Sequence, residues 1–354
     1  MFELTEKDLE NMKNHKYKTT GYSTLDNKMN PFWTYCANLL PYKYSPNMVT
    51  LTGSFCHLFG VFIILFYDYT LSKELPNYIY FIFALMLFLG QTFDAIDGKH
   101  ARNTNRSSSL GQLMDHGCDA MDNFTFCIMI CQAHLLGPTI SCLVEIGIQQ
   151  NFYAYTVEEN FSGVIRTNTN DFGVTEIQFC SMFLCLLPIF DHHFLDYFEF
   201  FGFLRINVLM FFITLLFSIG TNIYLIISDS NGIKDAWNKW NKMIPLCIFN
   251  FFEYLASRYT IFSKYAYFIL ILNGLYFTLM ASKLIICNMS SKKINMFDID
   301  IIIYNVLIGI GYFLNNEFCE IFICCFLAVW IILRFYVIII GTIKKLLNYL
   351  KINF

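Results

Sequence analysis

Up to about residue 45 the chain is polar and mixed in charge, and from Met48 onward it alternates between long apolar runs and short polar links. Ten runs can be drawn: 48–68, 78–98, 109–136, 138–157, 174–190, 204–228, 243–257, 264–287, 299–313 and 317–342. A hydrocarbon core about 30 Å thick is crossed by about 20 apolar residues in a helix. The pattern therefore predicts an all-α, polytopic transmembrane bundle of about ten spans. The number lies between eight and ten, because the fourth, fifth, seventh and ninth runs are short or carry polar residues such as Glu145 and Glu253. Three parts follow from the same pattern: a cytosolic or interfacial segment 1–45, a transmembrane part 46–228, and a C-terminal group of transmembrane helices 229–354.

The polar segment holds no apolar core behind a basic start, so no cleavable signal peptide is expected and targeting falls to the spans. Within it, Thr5 precedes Asp8 by three residues and Leu9 and Met12 follow, the signature of a capped, amphipathic surface helix. The basic residues then set the orientation. With ten spans and a cytosolic N-terminus, one side receives Lys99, Arg102, Arg106, Arg166, Lys234, Lys239, Lys242, Lys283, Lys292, Lys293, Lys344, Lys345 and Lys351. The other receives Lys73, Arg205, Arg258 and Lys264. By the positive-inside rule both termini face the cytosol.

Composition agrees with a lipid environment. Of 354 residues, 56% are hydrophobic and 14% charged, well below the roughly 25% charged of a soluble domain. This excludes a disordered protein and argues against an ordinary soluble enzyme. The net charge of -3 comes without a basic stripe, so nucleic acid is not an expected partner. The 13 Cys lie mostly inside apolar runs and show no zinc-ligand spacing, which argues against a disulfide framework or a structural metal.

One region breaks the rule that charges avoid the membrane. Asp94 and Asp97 stand three apart at the end of the second run, and Asp115 and Asp119 stand four apart near the start of the third. Both spacings place side chains on one helical face. The link between the runs is short enough to fold the two helices against each other, so four carboxylates converge at one membrane boundary. Like charges at close range oppose one another's ionisation, and burial adds to the cost. Hard oxygen donors suit Mg²⁺, Mn²⁺ or Ca²⁺, and four acids suffice for two ions that also grip a substrate phosphate. The alternative is that these acids cap helices or pair with Lys99, Arg102 and Arg106. Gly98, Ala101, Gly111 and Gly117 remove bulk where helices and a ligand approach, and Arg102 offers a planar fork to phosphate oxygens.

The pattern Asp94-x2-Asp97-Gly98-x2-Ala101-Arg102-x8-Gly111-x3-Asp115-x3-Asp119 resembles the signature of the CDP-alcohol phosphotransferases at every fixed position. Further stretches resemble the choline/ethanolaminephosphotransferase branch: His15-Lys16-Tyr17, Pro31-Phe32-Trp33, Ser45 to Thr50, Asp115 to Asp119, and Glu158-Glu159 followed by Gly163, Asn170 and Thr175-Glu176. The likeness runs from about Leu4 to Glu176.

The resemblance implies transfer of a phosphoalcohol head group from CDP-ethanolamine or CDP-choline to the hydroxyl of diacylglycerol, releasing CMP, by two-metal-assisted attack on the β-phosphate. It further implies Asp94, Asp97 and Asp115 as metal ligands, Asp119 as ligand or base, Gly98, Ala101 and Gly111 beside the nucleotide, Arg102 on phosphate and Asn47 on the nucleotide or its phosphates. Two Mg²⁺ or Mn²⁺ ions are the expected cofactors. The endoplasmic reticulum, with the Golgi as the alternative, is the expected membrane, with the active site near its cytosolic face. Membrane lipid surrounds the protein, and whether two copies form a homodimer stays open.

The acceptor hydroxyl must lose a proton. His116, whose side-chain type titrates near neutrality, is the first candidate base and Asp119 the second. Two positions depart from the branch: Gln112 stands where Glu is usual, and Ile177 where Gly is expected after Thr-Glu. Gln112 can hydrogen-bond a histidine but cannot stabilise an imidazolium as a carboxylate would. Tyr153, Tyr155, Glu158 and Glu159 are candidates for a quaternary ammonium head group, against simple interfacial anchoring. Two other readings of the acids remain: a phosphatidylinositol-type synthase that uses CDP-diacylglycerol, and a non-enzymatic transporter with an acidic ion pathway.

Overall fold

A computed structural model describes the chain apart from residues 1–3, 16, 17, 20, 166, 167, 170, 171, 192–198, 201–203, 206–215, 217, 226, 228, 229, 231, 294–297 and 352–354. Most of the expected sixth span, 204–228, lies outside the described residues, as do Lys16, Tyr17, Arg166 and Asn170. The other nine apolar runs each coincide with a described helix.

The chain opens with α1 (Glu6–Asn14), closed at its start by the expected box. The Asp8 N–H donates to Thr5 Oγ1 at 3.3 Å and the Thr5 N–H to Asp8 Oδ2 at 2.9 Å. Its apolar side, Leu9 and Met12, packs on Leu110, Leu113, Ile285, Met289 and Leu346, which lays it across the ends of three later helices. A second capping box, Ser23 with Asp26, starts α2 (Thr24–Leu39), whose Trp33 and Ala37 pack on Val49 and Ile96.

The bundle proper follows as α3 (Pro46–Ile64), α4 (Asn77–Asn103), α5 (Ser109–Ala133), α6 (Gly137–Ser162), α7 (Val174–Phe190), α8 (Ile233–Ala256), α9 (Phe262–Ser290), α10 (Ile299–Leu314) and α11 (Glu317–Phe335). A π turn, Tyr336–Ile340, joins α11 to α12 (Gly341–Leu350) without a break. Two ladders of two residues per strand are the only strands among the described residues. The protein is thus helical, and four of its helices, α3, α4, α9 and continuous α11–α12, are long and apolar enough to cross a membrane.

Two boundaries differ from the apolar pattern, for one reason. α4 runs past Gly98 to Asn103 and α8 begins at Ile233, well before residue 243. Polar and charged residues end a hydrophobic run without ending a helix, since Lys, Arg and Glu are good helix formers.

α9 is the centre of the packing. Its apolar window is 83% buried against 22% for α11–α12, and it packs against α5, α6 and α11. Close approach to α5 requires Gly274, because a Cβ there would stand 2.3 Å from Phe124 Cβ. Arg334, within the last apolar run, is accommodated by Asp300 on α10, which accepts from its Nε at 2.6 Å and also pairs with Lys283. A charge inside a span is thereby matched within the bundle.

Candidate active site

Three helices build the site. α3 packs along both α4 and α5, while α4 and α5 touch each other only sparingly, so the ends of α4 and α5 flank the start of α3. The helical spacing that puts Asp94 and Asp97 on one face brings them to Asp115 across this gap. One carboxylate oxygen from each of the three lies within 4.8 Å of the other two. Asp119 stands outside this group, so three of the four expected carboxylates converge. Its Oδ2 lies 3.6 Å from His116 Nδ1, a charge contact longer than a hydrogen bond.

The basic residues of the same segment turn elsewhere. Lys99 donates to Asn30 Oδ1 on α2, and the Arg106 guanidinium lies 5.3 Å from the centre of the Tyr42 ring. Arg102 folds back along α4, its Nη1 3.5 Å from where a Cβ on Gly98 would be. The three converging acids are therefore not neutralised by the neighbouring cations, which removes the pairing alternative. Three hard oxygen donors, close together and with no Lys or Arg ion pair among the described residues, fit a divalent metal.

The residues expected beside the nucleotide lie near the same gap. Asn47, in the first turn of α3, places Oδ1 3.5 Å from the position of a Cβ on Gly111, whose own N–H donates to Ser108 Oγ at 3.1 Å. A side chain on Gly98, which shares the Asp94 face of α4, would meet only Arg102, so it opens onto free space beside the acids; Gly117 points from the other side of α5, where a side chain would meet nothing within 4 Å. Ala101 is half-buried on the same helix end. Gln112, one turn before His116, has its buried Nε2 without a hydrogen-bond partner.

Several contributors are visible only in three dimensions. Thr50 Oγ1 donates to Asp97 Oδ2 and so orients that carboxylate. One turn below the acids, Ser54 Oγ donates to Asp122 Oδ2 at 3.0 Å, and His57 Nδ1 lies 3.2 Å from the same oxygen. Gly90 makes room for this imidazole, since a Cβ there would fall 2.0 Å from His57 Nε2. The signal in the sequence was Asp122 itself, three residues beyond Asp119 on the acidic face. His100 is held by the Tyr44 carbonyl, 2.9 Å from its Nε2.

The head-group candidates divide. Glu158 pairs with Lys239 Nζ at 3.2 Å, both buried. Glu159 accepts from Asn288 Nδ2 at 3.3 Å and lies 3.9 Å from His15 Nε2. Burial holds His15 below the usual histidine value, against the upward pull of the Glu159 carboxylate. Tyr153 lines a separate cleft with Phe249, Tyr276 and Lys283. Thr175 and Glu176 act at a distance from the acids: Thr175 Oγ1 donates to Asp26 Oδ1 at 2.6 Å and Glu176 Oε1 accepts the Leu25 N–H at 3.0 Å, which fastens α2 to α7.

The profile of the CDP-alcohol phosphatidyltransferase family matches residues 43–220, the stretch that contains Asp94, Asp97, Asp115 and Asp119, and the chain belongs to that family. Cholinephosphotransferase 1 of Rattus norvegicus is 28% identical over 341 residues, 93% of this chain and 84% of the relative. Cholinephosphotransferase 1 of Saccharomyces cerevisiae is 38% identical over 160 residues, 45% of this chain and 41% of the relative. An uncharacterised class-I family protein of Dictyostelium discoideum is 29% identical over 79% of this chain and 76% of its own length. These relatives set the chain in the choline/ethanolamine phosphotransferase branch, as an enzyme of the CDP-alcohol phosphotransferase class.

Proposed function

We propose that the protein transfers phosphocholine from CDP-choline, and phosphoethanolamine from CDP-ethanolamine, to the hydroxyl of diacylglycerol, releasing CMP. The observation that carries this reading is the convergence of Asp94, Asp97 and Asp115 beside Asn47, Gly98 and Arg102. The three acids, with Asp119 completing the set, would hold two Mg²⁺ or Mn²⁺ ions. Bound there, such ions supply neutralisation of phosphate charge. Thr50 fixes Asp97 for that task. Asn47, Gly111, Gly98 and Ala101 leave a close-walled slot for the nucleotide, and Arg102 takes a phosphate.

The acceptor oxygen forms its bond to the β-phosphorus as the bond from that phosphorus to the CMP oxygen breaks. His116 receives the hydroxyl proton, and Asp119 beside it stabilises the resulting imidazolium, a part that Gln112 cannot play. Residues 46–228 are the catalytic part, and 229–354 face lipid or a second copy. Ten crossings with both termini in the cytosol put the site at the cytosolic face of the endoplasmic reticulum, where Lys99, Arg102, Lys292 and Lys344 also gather.

The test supplies each donor with diacylglycerol to protein in nanodiscs and follows labelled lipid product. Phospholipid forms with CDP-choline and with CDP-ethanolamine, and CDP-diacylglycerol with inositol gives none; the reverse pattern contradicts the reading. His116→Gln lowers kcat by about 10² to 10⁴ and flattens the acid limb of the pH–rate profile. A profile that keeps its acid limb would move the proton to Asp119.

A further inference from the structure

A histidine and an aspartate inside the three-helix core of the site have no part in the transfer step. His57 on α3 is 4% exposed, and its Nδ1 lies 3.2 Å from Asp122 Oδ2 on α5. Ser54, three residues earlier on α3, donates to the same oxygen at 3.0 Å. The Leu87 carbonyl of α4 also faces the imidazole, and Gly90 on α4 lacks the Cβ that would strike the ring at 2.0 Å. A single histidine thus bridges all three helices that build the site.

The bridge stands in register with the acids. His57 follows Thr50 by seven residues on α3, Asp122 follows Asp115 by seven on α5, and Leu87 precedes Asp94 by seven on α4. Seven residues are about two helical turns, about 10 Å along the axis on nearly the same face. The bridge therefore lies two turns below the level where Thr50 holds Asp97 and where Asp94 and Asp97 meet Asp115. That level needs an outside hold. α4 and α5 pack along α3 but touch each other only sparingly, so direct packing does not set the gap between Asp94 and Asp115. The like charges of the acids also work to widen it.

A buried imidazole and carboxylate are costly to desolvate, and apolar side chains in the same space would hold the helices as firmly. Apolar contact has no direction, however, and fixes no distance. We infer that His57 and Asp122 are positioning residues of the transfer site. They set the separation of α4 and α5 and, through it, the fit of Asp94, Asp97 and Asp115 to the small divalent cation proposed for them, a reading on which this role rests. Mg²⁺ demands near-octahedral oxygens at about 2.0–2.1 Å, whereas Ca²⁺ accepts longer and more variable distances. A clamp that sets a distance therefore matters more to Mg²⁺ than to Ca²⁺.

The test follows Mn²⁺ binding by electron paramagnetic resonance in the purified full chain in nanodiscs, with Mg²⁺ and Ca²⁺ as competitors. His57→Leu/Asp122→Leu replaces the pair by apolar packing without leaving one charge buried alone, and its melting temperature does not fall. It weakens Mg²⁺ by about tenfold, as loss of an outer-shell partner does, and leaves Ca²⁺ within about threefold. His57→Gln, whose amide can still donate to Asp122, keeps Mg²⁺ within about threefold of wild type. If the double variant does not fold, His57→Ala, which leaves Asp122 with Ser54, gives the same comparison. Unchanged Mg²⁺ affinity overturns the inference. So does an equal loss of Mg²⁺ and Ca²⁺, which assigns the effect to the missing carboxylate charge or to general loosening. Wild-type Mn²⁺ binding that Asp94→Asn/Asp115→Asn leaves untouched would instead overturn the metal reading itself, and this role with it.

Discussion

The two acidic groups of this bundle sit at opposite extremes of access. Asp94, Asp97 and Asp115 lie where α4 ends and α5 begins, Asp94 and Asp115 partly exposed, with open space over Gly98. Glu145 and Glu253 are sealed among α6, α8 and α9 with no opening to a loop. Burial makes both expensive as free charges, but only the first can exchange what it binds with solvent at the rate a reaction needs. Access, more than the number of carboxylates, separates a group fit for turnover from one fixed inside the packing. A third acid completes the series. Asp68, in the turn between α3 and α4, is fully enclosed yet satisfied by the chain itself: Oδ1 accepts the Thr70 N–H at 2.8 Å, and Oδ2 accepts the Ser72 and Lys73 N–H groups at 2.7 and 2.8 Å.

The largest expected effect breaks the open group. Asp97→Asn or Asp115→Asn lowers CMP release by about a thousandfold or more, about 4 kcal/mol of transition-state stabilisation, while the melting temperature in nanodiscs does not fall. Retained activity in either variant erases the distinction between the two groups. A smaller effect probes the packing that separates them. Gly274→Ala forces a Cβ against Phe124 Cβ, which cannot swing away as a side-chain tip would. A cost of about 1–3 kcal/mol in unfolding free energy is expected, with activity falling far less than in the aspartate variants.

The smallest effect concerns Asp68. Burial alone would raise its carboxyl, but the Thr70 hydroxyl and the backbone N–H groups of Lys73, Thr70 and Ser72 outweigh it and hold the value below the usual carboxylate range. A depressed folded value means stability that is present above the unfolded value near 3.9 and lost as pH falls through the folded one. Asp68→Asn therefore costs about 1–2 kcal/mol at pH 7, and the gap to wild type narrows below about pH 4. A gap that does not change with pH would show that the charge of Asp68 contributes nothing.

The open group was legible because its information is local. Spacings of three and four within Asp94 to Asp119 fix one helical face each, and one short link brings the faces together. The extent of α4 and α8 was not legible from hydropathy, because Lys99, Arg102, Lys234 and Lys239 continue a helix while ending an apolar run. Asp119 was expected beside Asp115 on its spacing of four, and it shares that face of α5, with its Oδ2 3.6 Å from His116 Nδ1. The interior pair left only a faint trace. Glu145 and Glu253 showed as polar interruptions in two soft runs, and their meeting depends on how α6 and α8 pack, which no periodicity records. Thr50 stood in a quoted motif, but its hydrogen bond to Asp97 crosses from one helix to another.

The most direct measurement is CMP release from CDP-choline and diacylglycerol by the purified protein in nanodiscs, with Mg²⁺, with chelator, and with Mg²⁺ restored. The account predicts release that stops with chelator and returns with the metal. Release that continues unchanged in chelator would contradict the assignment of Asp94, Asp97 and Asp115 as the metal-holding centre of the reaction.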